Sequence, residues 1–300
     1  MREWLEYMAA LAGLKFLGLL PRSVARFLGV VFATLAYKLR PSLARTAMFN
    51  LHIAFPDWSD VRLMEVTRGM IRQVGWMAGE FSQFPKYTRE NIERIVFVDG
   101  IENFDRARRR GKGVLFLTGH MSAWELAPFA QALYGYPLSF LIRPIANRRV
   151  DALINDYRCR FGNQPIEKNR SARAILKVLS EGGTVGVLSD HNTSVESVFV
   201  NFFGVPAATT SGLARIALRT DAAVVPGFLS WEPELHSYRL RFEPALPLRR
   251  TGNEQADIVA NTQCFTAVIE NYIRAHPDQW LWVHKRWKTR PLGQPPLYPK

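Results

Sequence analysis

A mostly parallel central sheet flanked by helices, preceded by an apolar helical segment, is the α/β architecture this 300-residue sequence predicts. Two observations carry it. From about residue 94, short and wholly apolar runs such as VLFLT (114–118) alternate with stretches of helical spacing, the pattern of strands buried on both faces. Before that, the sequence opens on two apolar runs, MAALAGLKFLGLL (8–20) and FLGVVFATLAY (27–37), set among Arg and Lys. Repeats, low-complexity tracts and Gly/Ser linkers are absent. The chain therefore divides once, into a helical, membrane-associating region (1–58) and one α/β domain (59–300).

Neither N-terminal run reaches the length of about 18 apolar residues expected of a spanning helix, and no small-residue cleavage site follows. The reading is one or two helices lying in a bilayer interface, with flanking Lys and Arg facing anionic lipid; a buried helical hairpin is the alternative. Next, SDVRLMEVTRGMIRQVGWMAGEFSQF (59–84) has helical apolar spacing and Ser59 as its cap. Then RIVFVDG (94–100) reads as a strand, IENFDRARRRG (101–111) as a helix, and GVLFLTG (113–119) as a buried strand. A helix over 123–135, a strand over 137–143 and helices over 148–162 and 171–183 follow, and TVGVLSD (184–190) is a further strand. Strands over 222–231 and 238–248 and a long helix over 254–277 complete the domain.

Composition narrows the partners. With 48% hydrophobic residues the chain can bury a sizeable core. Lys+Arg number 39 against Asp+Glu 26, a net charge of +13, which favours nucleic acid, an acidic carrier protein or an anionic membrane face. The apolar start favours membrane over nucleic acid. Cys159 and Cys264 have no metal or redox spacing and form no disulfide framework, which points to a reducing compartment.

In parallel sheets ligands bind at the carboxyl ends of strands. His120 and Glu125 follow VLFLT, Arg143 closes SFLI, and Asp190 with His191 closes TVGVLS, so three polar groups fall on one rim. On an ideal helix a spacing of five leaves two side chains about 140° apart. His120 therefore meets Glu125 only from the loop before the helix, with Gly119 ending the strand and Ser122 as a cap. There the carboxylate would fix the imidazole tautomer, leaving the other nitrogen to take a proton from an alcohol. No G-x-S-x-G elbow and no comparably placed Cys supplies a nucleophile, which leaves the substrate's own hydroxyl. H-E-x-x-H is absent, so zinc is a weak alternative, and RRGKGV lacks the spacing of a phosphate loop. The run VHKRWKTR (283–290) places Lys and Arg among Trp280, Trp282 and Trp287. Taken alone it suits single-stranded nucleic acid, a membrane interface or a packed Trp cluster; the N-terminal helices tip the balance to the last two.

H-x4-E behind an apolar strand resembles the H-x4-[DE] signature of the glycerolipid acyltransferase superfamily. The rest of the chain is similar to its lipid A biosynthesis branch, the lauroyl/myristoyl late acyltransferases. The segments carrying the likeness are NLHIAFPDWS (50–59), LIRPIANRRVDALINDYRCRFG (141–162), GGTVGVLSDHNTSVESVFVNFFGVPAATTSGLARIA (182–217) and HPDQWLWVHKRWKTRP (276–291). The resemblance implies a glycerolipid acyltransferase-like fold and transfer of a fatty acyl chain from an acyl carrier protein thioester to a hydroxyl of a lipid A precursor. His120 would be the general base and Glu125 its orienting partner. Arg143, Asn147 and Arg158 from the R-P…N stretch, with Asp190 and His191 from the acidic turn, would bind substrate. It implies no cofactor or metal, acyl carrier protein or coenzyme A carrying the donor acyl group, an anionic glycolipid acceptor, no nucleic acid, and the cytoplasmic face of a bacterial inner membrane. A lysophospholipid or another glycolipid as acceptor, or a non-catalytic basic membrane protein, are the rival readings.

Overall fold

The computed structural model describes residues 1–167 and 171–298. Both apolar runs are helical, α1 (Arg2–Leu19) and α2 (Arg22–Leu39), divided at Leu20 and Pro21. A third helix, α3 (Pro41–Ala54), starts on its proline, where a missing N–H costs nothing. The long helix α4 (Asp60–Gln83) follows; the Ser59 hydroxyl caps it, accepting from the Arg62 N–H at 3.4 Å.

Seven strands then form one sheet. They are β1 (Val96–Asp99), β2 (Val114–Thr118), β3 (Ser139–Ile142), β4 (Gln164–Glu167), β5 (Thr184–Leu188), β8 (Ala223–Glu232) and β9 (Ser237–Phe242), in the order β1-β9-β8-β2-β5-β3-β4. Every pairing is parallel except β8 with β9, so β1 and β9 run against the other five. Between the strands lie α5 (Ile101–Arg108), α6 (Leu126–Leu133), α7 (Arg148–Cys159), α8 (Ser171–Ser180) and α9 (Gly212–Thr220), and α10 (Glu254–Ala275) follows β9. A separate antiparallel hairpin, β6 (Ser197–Phe202) with β7 (Val205–Thr210), rises from the segment after β5.

Strand β2 shows why its run had to be apolar throughout. Leu115 and Leu117 join the core formed with α3, α4, α9 and α10, while Val114 and Phe116 join the opposite core with α5 and α6. Alternate side chains point to opposite faces, and both faces are covered. Some elements have no counterpart in the sequence reading. β4 (QPIE) is short and holds Pro165, which is tolerated because β4 is the outer strand of its edge. The β6–β7 hairpin turns on Phe203 and Gly204 at φ of 53° and 78°, a two-residue turn built without the usual Asn-Gly signal. Helix α3 lies in a part of the N-terminal helical region to which the sequence reading assigned no element.

The N-terminal helices are attached by a close crossing. A Cβ on Gly29 of α2 would lie 2.1 Å from the Gly75 carbonyl oxygen of α4, and one on Gly75 would lie 2.4 Å from the Val30 Cα. This approach lets Arg22 pair bidentately with the fully buried Glu80 (2.7 and 3.1 Å), which also accepts from the Tyr87 hydroxyl. Arg26 lies over the rings of Trp76 and Trp231 at 3.6 and 4.3 Å. The outward faces remain apolar: Trp4, Leu5, Phe16 and Leu19 on α1 and Phe27, Phe32, Leu35 and Leu39 on α2 are all more than half exposed. No described helix is long and apolar enough to cross a membrane. Gly75→Val should force α2 off α4 and destabilise the chain by about 3 kcal/mol or more, the upper range for overpacking, read as a lower midpoint in urea. An unchanged midpoint would mean that the crossing tolerates a side chain.

Candidate functional site

The pairing of β2 with β5 builds the site. Thr118 lies opposite Leu188 in the parallel register. Two residues further along each strand, His120 and Asp190 are therefore neighbours at the carboxyl rim. His120 Nδ1 lies 2.8 Å from Asp190 Oδ1, and the His120 backbone N–H donates to Oδ2, also at 2.8 Å. A third donor, the Trp280 indole N–H, reaches Oδ2 at 2.8 Å. An ionised carboxylate only accepts, so Nδ1 carries a proton, and in the neutral ring Nε2 keeps its lone pair. The Asp190 side chain is wholly buried and that of His120 is 14% exposed, enough for a substrate to reach the ring.

The electrostatics follow. Burial alone would disfavour an ionised Asp190, but the charge and hydrogen bond of His120, with His191 and His284 nearby, hold it well below the usual carboxylate range. For His120, burial works against the imidazolium; the Asp190 charge and hydrogen bond outweigh it and raise the ring above its ordinary value. Glu125 adds a smaller share through its charge. His284 differs: burial pushes it down to about 4, so it is neutral at neutral pH, with Nδ1 at 2.9 Å from the Leu281 carbonyl.

A side chain at Gly119 would crowd this pair. A Cβ there would stand 3.2 Å from Asp190 Oδ2, in the space the carboxylate uses to accept the His120 N–H. From the other side the C-terminal segment clamps the loop. Met121 and Trp280 form an antiparallel bridge, Ser122 donates its N–H to the Gln279 carbonyl at 2.6 Å, and Leu281 donates to the His120 carbonyl at 3.1 Å. Ser122 does not cap α6. It sits at φ 51° with its hydroxyl donating to Gln73 Oε1 of α4 at 3.0 Å, and α6 starts only at Leu126.

The remaining predicted residues divide. Glu125 is not the partner of the His120 ring; Asp190 is. Glu125 instead holds Arg158 of α7 bidentately, at 2.6 and 2.8 Å, at the edge of the same rim. The sequence reading missed this exchange of partners because Asp190 is distant in the chain and becomes adjacent only through strand pairing. Asn147 is used to hold the fold together. It caps α7, accepting from the Arg149 and Val150 N–H groups at 3.0 and 3.3 Å, and its amide donates to the Glu3 carbonyl and the Glu6 carboxylate of α1. Arg143 is exposed beyond β3. His191 stacks flat on the His120 ring, centroids 3.9 Å apart and planes within 7°. The C-terminal tryptophans belong to the core: Trp280, Trp282, Trp287 and Arg286 are wholly buried, which removes both the nucleic-acid and the membrane-surface readings of that run.

His120, Asp190 and His191 each offer a ligand atom, all within 4.8 Å of one another. Two features disfavour a metal there. Both Asp190 oxygens already accept hydrogen bonds, and two imidazoles stacked in parallel cannot aim their in-plane lone pairs at one ion. The arrangement suits proton transfer at His120 Nε2: a buried acceptor fixes the tautomer, and the free nitrogen faces the rim.

Comparison with known proteins gives the same direction. Residues 1–289 match the family described as bacterial lipid A biosynthesis acyltransferase. The chain is 28% identical over 305 residues to the lipid A biosynthesis palmitoleoyltransferase of Escherichia coli K12, covering 99% of this chain and 95% of the relative. It is 28% identical over 299 residues to the lauroyltransferase of the same strain, with the same coverage. With a lipid A biosynthesis acyltransferase of Haemophilus influenzae it shares 25% identity over 249 residues, 83% of this chain and 76% of the relative. Aligned over almost its whole length with acyltransferases, the chain is itself an acyltransferase and belongs to the bacterial lipid A biosynthesis acyltransferase family.

Proposed function

We propose that the protein transfers a fatty acyl chain from a thioester, carried by an acyl carrier protein, to a hydroxyl of a lipid A precursor, with His120 as general base. The observation that carries the reading is the Asp190–His120 pair. In the neutral ring it holds the proton on Nδ1 and leaves Nε2 as the basic nitrogen, on a side chain that is not fully buried. The acceptor hydroxyl gives its proton to Nε2 as its oxygen attacks the thioester carbonyl. The tetrahedral oxyanion then collapses, the C–S bond breaks, and the leaving thiolate takes the proton from Nε2, giving an ester and a free thiol. The Glu125–Arg158 pair borders this space; we assign it, with Arg143 and His191, to substrate positioning rather than to proton transfer. The net charge of +13 suits an acidic carrier and a phosphorylated lipid.

The exposed apolar faces of α1 and α2 are the surface for a peripheral position on the cytoplasmic face of the inner membrane. The N-terminal region 1–58 thereby holds the rim near its lipid substrate.

The assay is purified protein with an acyl carrier protein thioester and a tetra-acylated lipid A precursor, read by mass spectrometry. Wild type should add one acyl chain and His120→Ala none; equal turnover in the two would remove the base assignment, and consumption of thioester without lipid product would mean a different acceptor. The pH profile has a definite sign. A base works unprotonated, and His120 is raised, so kcat/KM should climb with pH through a value above about 6.5. Asp190→Asn removes the charge that outweighs burial. Its rising limb should fall below the ordinary histidine range and its rate drop about 10²-fold or more; an unshifted limb would show that Asp190 does not govern the base. For the membrane surface, Phe27→Glu with Phe32→Glu should weaken co-sedimentation with anionic vesicles while leaving turnover on detergent-dispersed lipid unchanged. Undiminished co-sedimentation would place the membrane contact elsewhere.

A further inference from the structure

We infer that Trp280 is a positioning residue for acyl transfer: its indole N–H holds the Asp190 carboxylate so that Oδ1 faces His120, and thereby sets the strength of the base. The inference rests on the assignment of His120 as that base.

Geometry supports it from both ends. At the carboxylate, Oδ2 takes two donors, the Trp280 indole N–H and the His120 backbone N–H, each at 2.8 Å. Two donors on one oxygen fix the plane of the carboxylate and leave Oδ1 for the imidazole. At the indole, the ring is wholly buried, edge-on to Trp282 at 4.6 Å, with Phe202 and His284 at 5.7 and 5.0 Å. Its backbone is bridged to Met121, next to the base itself. Indole, carboxylate and imidazole therefore form one connected unit, held by the C-terminal segment rather than by the strands that bring His120 and Asp190 together.

The electronic consequence has a sign. A donor on Oδ2 draws negative charge away from Oδ1. Without it, more charge stands against the imidazole, the imidazolium is favoured, and the base becomes protonated at higher pH. The other groups facing this unit are His191 stacked on His120, Glu125 at the start of α6, and His284 and Arg286 near Asp190. Of these, His284 also packs edge-on against the indole, a contact that a same-shaped ring without the N–H keeps.

The test is the pH dependence of kcat/KM for wild type, Trp280→Phe, and protein carrying 3-benzothienylalanine at 280. That residue keeps the shape of tryptophan and replaces the N–H by sulfur, so it reads the hydrogen bond even if the phenylalanine variant does not fold. Both should move the rising limb upward by roughly half a pH unit or more, the direction expected when a carboxylate loses a donor. A limb that stays in place in the folded isostere protein, whatever happens to the plateau rate, would reduce Trp280 to packing and overturn the inference. A wild-type profile with no rising limb, or one unchanged in His120→Gln, would overturn the base assignment and the inference with it.

Discussion

A single fully buried carboxylate organises the active rim. Putting an isolated charge where no water reaches costs several kcal/mol, so Asp190 is tolerated only because donors are placed on both of its oxygens. Its three donors come from two places far apart in the chain: the backbone and ring of His120, and the indole of Trp280. Each brings a constraint. A side chain at residue 119 would crowd Oδ2, at 3.2 Å from its Cβ, so the carboxylate or the loop would have to shift. Strands β2 and β5 must keep their register, because a slip would move His120 away from Asp190. The C-terminal segment must fold back over the rim, since it alone brings the indole.

Those constraints explain why the end of the chain is so aromatic. Trp280, Trp282 and Trp287 pack into the core shared with α3, α4 and α10, and Asn50 of α3 donates to the carbonyls of Trp282 and His284 at 2.7 Å each. Arg286 is buried with them and donates to the Ala208 carbonyl and the Thr209 hydroxyl of β7. A clamp over a charged pair has to be rigid, and large rings with few rotamers meet that need at low entropic cost. The cations in the run are thus divided by burial: Arg286 is consumed internally, whereas Lys288 stays outside.

What the sequence disclosed follows from range. Apolar runs are local, so β2, β3, β5 and β8 were legible, and with them the rim on which His120 and Asp190 both fall. Periodicity also gave α4, α7 and α10 close to their observed limits, and Ser59 as a cap. Which carboxylate meets the histidine was not legible. Glu125 is nearer in the chain, but Asp190 is nearer in space, because the parallel pairing of β2 and β5 advances both strands together. The tryptophan run left a membrane interface and a packed cluster both open for a related reason: alternating aromatic and basic residues state an amphipathic composition, not which side faces water, and the packed cluster is what the structure shows. The hairpin escaped because Phe203 occupies a left-handed position where Asn or Gly is expected.

Helix α7 connects the two halves of this design. At its start, Asn147 both caps the helix and fastens the N-terminal turn of α1 through Glu3 and Glu6. In its last turn Arg158 grips Glu125, at the beginning of α6 and five residues from His120. Its 12 residues span about 18 Å as a rigid rod. An apolar helix with no buried residue is therefore not loosely appended, because its first turn is bonded to an element that also ends at the loop carrying His120. The second attachment, the α2–α4 crossing, reaches the same loop by another route, since α4 also supplies Gln73 to Ser122. Two separate connections tie the apolar face to the loop that carries His120, and that is the geometry the proposed transfer to a lipid hydroxyl would use.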